Sequence, residues 1–94
     1  MKLVWSAFAL SDRDGIYDYI ESESPRFAAV MDGRISKSVE VLLDFPESGR
    51  VGRVKGIREC VIPRSPYIAA YIVTGDVIRI LRVLHGAQRW PDEF

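Results

Sequence analysis

Apolar positions along this chain change their spacing twice, from a short apolar stretch to a helical period and back to β-type runs. Residues 2–8 are rich in β-formers and predict a first strand. Ser11-Asp12-Arg13-Asp14 reads as a helix start, with Ser11 as the cap and both aspartates complementing the positive end of the helix dipole. Ile16, Tyr17 and Ile20 supply its apolar face, which Gly15 weakens without forbidding. Ser24-Pro25 is a second start signal, a cap followed by proline at the first helical position. Phe27, Val30, Met31, Ile35, Val39, Leu42 and Leu43 follow at helical spacing as far as Asp44. So short a link between the two helices predicts an antiparallel hairpin.

Residues 46–56 hold three glycines and the cations Arg50, Arg53 and Lys55, and predict an exposed basic loop. β-formers then return. Strands are expected over 58–62, 67–73 and 77–84, with Thr74-Gly75-Asp76 turning tightly between the last two. His85-Gly86 ends the third of these, and residues 87–94 form a tail. The predicted order is β-α-α-β-β-β, an α+β fold. A single domain over residues 1–94 would pack its N-terminal helical hairpin on one face of a mainly antiparallel sheet.

A hydrophobic share of 48% and a charged share of 28% are globular proportions and exclude disorder or low complexity. A chain of 94 residues buries only about two-thirds of its unfolded surface. A partner chain covering apolar surface would therefore add stability. No apolar run approaches the ~20 residues of a membrane span, and the opening residues lack a secretory core with a cleavage site. Cys60 is the lone cysteine, which rules out an intrachain disulfide and fits the cytoplasm. One His and one Cys exclude a Cys/His zinc cluster within one chain, and no cofactor or metal is expected.

Formal charge sums to zero, but residues 1–47 carry nine acidic and five basic groups while residues 48–94 carry eight basic and four acidic ones. The basic half could face an anionic partner, or the two halves could attract each other in a dipolar protein. Arg79 and Arg82 are three apart in one strand, a spacing that puts them on opposite faces. Each either contacts an anionic partner or pairs with Glu59, Asp76 or a helix carboxylate. His85 is the one histidine, the residue type suited to proton transfer near neutral pH. It is a general acid or base, or a strand-end histidine bonded to the backbone; no second proton-transfer group near it in sequence favours the backbone role. Arg50, Arg53 and Lys55 could meet nucleic acid, although their glycine spacing is not a phosphate-binding loop. Trp90 either anchors the tail by packing or offers a contact to a target.

The run Ile80-Leu81-Arg82-Val83-Leu84-His85-Gly86-Ala87-Gln88-Arg89-Trp90 resembles the closing strand and tail of the RelE/ParE toxins of bacterial type II toxin–antitoxin modules. Arg64-Ser65-Pro66-Tyr67 and Ala70-Tyr71-Ile72-Val73 resemble the central hairpin of that superfamily. The RelE pattern has a basic residue after the tyrosine, where this chain has Ile68, and lysines on the strand that here reads Cys60-Val61-Ile62. The form Leu84-His85-Gly86-Ala87-Gln88-Arg89-Trp90 looks more like the ParE branch. The resemblance implies a growth-inhibiting toxin associated with plasmid stabilisation. It would act by binding and poisoning DNA gyrase rather than by catalysis, and a cognate antitoxin would neutralise it in a hetero-oligomer. Target contacts are then expected at Arg58, Arg64, Arg79, Arg82, His85, Arg89 and Trp90, with Arg50, Arg53 and Lys55 on a target or nucleic-acid loop. The alternative is a ribosome-dependent mRNA endoribonuclease using Arg58, Arg64, Arg82 and His85 to stabilise the phosphorane and move protons.

Overall fold

The computed structural model describes residues 1–92 and Phe94; Glu93 lies outside the described residues. Strand β1 (Lys2–Trp5) leads into helix α1 (Ala7–Glu21) and helix α2 (Pro25–Glu40), which a 3-10 turn extends over Val41–Leu43. Strands β2 (Arg50–Val51), β3 (Arg58–Val61), β4 (Tyr67–Thr74) and β5 (Val77–His85) complete the order. They form one sheet, β1-β5-β4-β3-β2, in which only the β1–β5 pairing is parallel. The α+β fold with a helical hairpin on a mainly antiparallel sheet is as expected from the sequence.

Helix α1 starts five residues before the predicted start. Ser6, not Ser11, is the cap: its Oγ accepts from the Ala9 amide at 3.0 Å and donates to the Leu81 carbonyl at 2.8 Å. Phe8 is therefore helical, because the cap and the alanines on either side favour the helix over an isolated β-former. The first turn contains no acid, so Asp12 and Asp14 do not serve the helix dipole. Ser24 and Pro25 start α2 as predicted, with Ser24 Oγ accepting from the Phe27 amide at 3.2 Å. Ala28, Met31, Ile35 and Val39 form its buried stripe, whereas Phe27 and Val30 of the predicted apolar face point outward. The Arg13 guanidinium grips the Asp32 carboxylate through two hydrogen bonds of 3.1 and 2.9 Å, joining the helices.

The main core lies between the hairpin and one sheet face. Met31, Ile35 and Val39 of α2 meet Ala69, Tyr71, Ile78 and Ile80 of the sheet. A smaller cluster of Ile68, Ala70, Leu84 and Trp90, with Ile57 beside it, lies on the other face. The tail thus folds back over part of the face that the helices leave free. The predicted basic loop is also more ordered than expected, since Arg50–Val51 pairs with Arg58 and Glu59 of β3. Tyr71, fully buried, anchors the loop's start by donating to the Pro46 carbonyl at 2.8 Å and accepting from the Gly49 amide at 2.9 Å.

Candidate functional site

Glu59 on β3 is the one charged residue classed as buried among the described residues, at 2% exposure. A buried carboxylate is tolerable only when its oxygens are satisfied. Arg50 Nε and Nη2 donate to Oε1 at 3.0 and 2.9 Å, and the Arg53 amide and Nε donate to Oε2 at 2.8 and 3.1 Å. Burial raises the carboxyl pKa, but these hydrogen bonds and the positive charge of Arg53 outweigh it and hold the group below the ordinary carboxylate value. Two cations of the predicted target loop are thus spent on one acid. The Arg53 guanidinium also lies 3.9 Å from the centre of the Trp90 ring. Trp90 is 8% exposed, and its indole N–H donates to the His85 carbonyl at 3.1 Å.

A second cluster sits where β1 ends. β1 pairs with β5 only as far as Ile80, so the rest of β5 would be a bare edge. Helix α1 covers it. Asp12 Oδ2 accepts from the Val83 amide at 2.9 Å, and the Arg82 guanidinium clasps the same carboxylate at 2.8 and 3.0 Å. Such charge-assisted, bidentate bonds are the strong ones, and the Asp12 contact raises the Arg82 pKa despite desolvation. Arg82 is therefore paired with a helix carboxylate, one of the two roles open to it from sequence. Arg79 and Arg82 belong to the same face, not to opposite ones. The ladder pairs Arg79 with Ile72 and Arg82 with Ala70, and Leu81 bulges out between them.

A cleft of about 350 Å³ opens beside this pair, lined by Ser11, Tyr19, Tyr67, Arg82, His85 and Gln88 among others. His85 has the strand-end role: its Nδ1 accepts from the Ala87 amide at 3.1 Å, and its ring meets Tyr67 edge-on with centroids 5.9 Å apart. Tyr67 is pushed above its ordinary pKa by burial and by the neighbouring Tyr19, so it stays protonated at neutral pH.

The remaining predicted residues are spread out. Arg58, opposite Tyr71, donates to the Glu47 and Gly49 carbonyls at 3.2 and 2.8 Å and holds the loop rather than an anion. Arg64 is in the β3–β4 turn with φ 56°, and its carbonyl accepts from Arg34. Lys55, Arg79 and Arg89 are exposed. The structure therefore joins Arg50, Arg53 and Trp90 around Glu59, and brings Arg82 and His85 to one cleft. It leaves Arg58 and Arg64 elsewhere. Asp12 and Glu59 escaped the sequence reading as members of these clusters. Glu59 carried a signal, as one of only two acids between Arg50 and Arg89. Among the described residues no group of three or more His, Cys, Asp or Glu is placed to hold a metal ion.

A helical hairpin on a mixed sheet, closed by a tail returning from β5, defines a small toxin of the RelE/ParE type. Residues 3–90 match the family of the ParE toxin of type II toxin–antitoxin system, parDE, and the chain belongs to that family. It is 42% identical over 96% of its length to "Putative toxin Y4kP" of Sinorhizobium fredii, covering 93% of that protein. It is 34% identical over 93% of its length to "Toxin RelE2" of Caulobacter vibrioides, covering 97% of that protein. A solved structure titled "Chromosomal ParDE TA system from P. aeruginosa" superposes with a TM-score of 0.81 at 33% identity. The match covers 90% of this chain and 95% of that one.

Proposed function

We propose that this toxin inhibits bacterial growth in the cytoplasm by binding and poisoning DNA gyrase, not by cutting RNA, and that a cognate antitoxin neutralises it. The observation that carries the choice is the lack of free cations around the one histidine. Arg82 is closed on Asp12, and Arg58 and Arg64 are not at this cleft. The Ala87 amide holds only Nδ1 of His85 and leaves Nε2 for proton transfer, but a phosphorane also needs cations free to meet it. An antitoxin is supported by the apolar side chains that α2, the 3-10 turn after it and β3 leave uncovered. Phe27, Val30, Val41 and Val61 are 41 to 51% exposed, and a segment that folds on its partner commonly covers such a surface.

The test is to induce the chain alone in a bacterial host and pulse-label DNA and protein synthesis. Early loss of DNA synthesis with translation continuing is expected, followed by inhibition of supercoiling by the purified toxin. Early loss of translation would replace this reading with the ribosome-dependent endoribonuclease. Continued growth with neither loss would overturn both.

A further inference from the structure

Among the described residues the tail makes no strand pairing after His85; the Gly86 amide donates to the Pro66 carbonyl at 2.7 Å, and Trp90 is the tail residue that is buried. The indole covers Ile68, Ala70 and Leu84 on the sheet and is itself covered by Arg53. Arg53 Nη1 also approaches the Gly86 carbonyl at 3.4 Å, where the tail leaves the sheet. Arg53 reaches this place because its amide and Nε are both fixed by the buried Glu59 carboxylate, at 2.8 and 3.1 Å. A side chain from the β2–β3 loop, held by an acid in β3, thus closes over the tail from above. Arg50 binds the same carboxylate through its other oxygen, and its hydrogen bonds and ion pair go to Glu59 rather than to the tail.

We infer that Arg53 and Glu59 are positioning residues of the tail: the buried carboxylate orients Arg53, and Arg53 holds Trp90, and with it Arg89, in place on the sheet. The bearing on target inhibition rests on the proposed reading that the tail meets the target. The latch itself does not. A planar guanidinium can bond Glu59 along one edge while its face lies on the indole, which an ammonium cannot do. Loss of charge and loss of stacking therefore separate in Arg53→Ala and Arg53→Lys.

The experiment is limited trypsin digestion of the full chain, read by mass spectrometry. The Arg89–Trp90 bond reports release of the tail, and the bond after Lys37, in the last turn of α2 beside the buried Val39, reports global opening. A cation–aromatic contact of this kind corresponds to about a fivefold or larger change in the open population, which cleavage tracks when opening is fast. Each Arg53 or Arg50 variant strips a partner from the buried Glu59 carboxylate, so Arg89 cleavage is read relative to Lys37, which carries the global loss. Arg53→Ala and Arg53→Lys are each expected to raise this ratio at least fivefold, and Arg50→Ala to leave it within twofold of wild type. An unchanged ratio in both Arg53 variants, or an equal rise in Arg50→Ala, overturns the latch. The same Arg53 variants are then assayed for gyrase supercoiling. Weaker inhibition supports the positioning role, and full inhibition by a chain with a released tail overturns it. A wild-type chain that leaves gyrase untouched defeats the target reading, and the protease result still decides the latch.

Discussion

Tyr71→Phe isolates one atom at the centre of the fold. The hydroxyl donates to the Pro46 carbonyl at 2.8 Å and accepts from the Gly49 amide at 2.9 Å, and the residue has no exposed surface. Phenylalanine keeps the ring and its packing, so no cavity of consequence is made. What is lost is two hydrogen bonds, and the Gly49 amide is left buried without a partner. A buried group so orphaned costs about 1–3 kcal/mol, and the more accessible Pro46 carbonyl, which water can reach, about 1 kcal/mol. The sum is about 2–4 kcal/mol, which for a chain of this size lowers Tm by about 10–20 °C. Thermal unfolding followed by circular dichroism, with urea titration at one temperature, measures it. Gly49 offers an internal check: a Cβ there would run into the Tyr71 hydroxyl and approach the Glu59 carbonyl at 2.9 Å. Gly49→Ala should destabilise by pushing the same two groups apart, and the double variant should lose less than the sum of the singles. A Tyr71→Phe loss below about 0.5 kcal/mol, or strict additivity with Gly49→Ala, would refute the view that this hydroxyl fastens the loop to the core.

Glu59, held below its ordinary pKa of 4.5, contributes stability that is present above that value and is lost as pH falls through the lowered one; Glu59→Gln should flatten the acid limb of a stability–pH curve measured by urea titration. Burial raises the Tyr71 pKa above its ordinary value of 10.0, so stability is full below that pH and falls as pH rises through the raised one; Tyr71→Phe should remove its share of that alkaline loss. Asp12→Ala strips the Val83 amide and Arg82 of their acceptor and should cost about 1–3 kcal/mol in urea unfolding. Gly75 has φ 60° in the β4–β5 turn with open space around it, so Gly75→Ala should cost about 1 kcal/mol through backbone strain alone, seen as a small drop in Tm.

Local chemistry was enough to reveal the element order apart from β2, which only its pairing with β3 defines. Ser24-Pro25 starts α2, Gly75 turns β4 into β5, and the apolar runs of β4 and β5 are strands because each property acts within a few residues of chain. The tail motif was equally legible, since Leu84-His85-Gly86 through Trp90 is contiguous. Residues far apart in sequence decided the rest. Ser6 takes the cap from Ser11 because its hydroxyl also serves Leu81, 75 residues away. The bulge at Leu81 moves Arg79 and Arg82 to one face, and no two-residue period announces it. Asp12 looked like a helix-dipole residue and instead closes the edge of β5, while Arg50 and Arg53 looked like a free basic loop and instead satisfy one buried carboxylate. A charge reads as surface in sequence because exposure is its usual state. Only the packed structure, which removes Glu59 from water, makes pairing compulsory and selects which cations supply it.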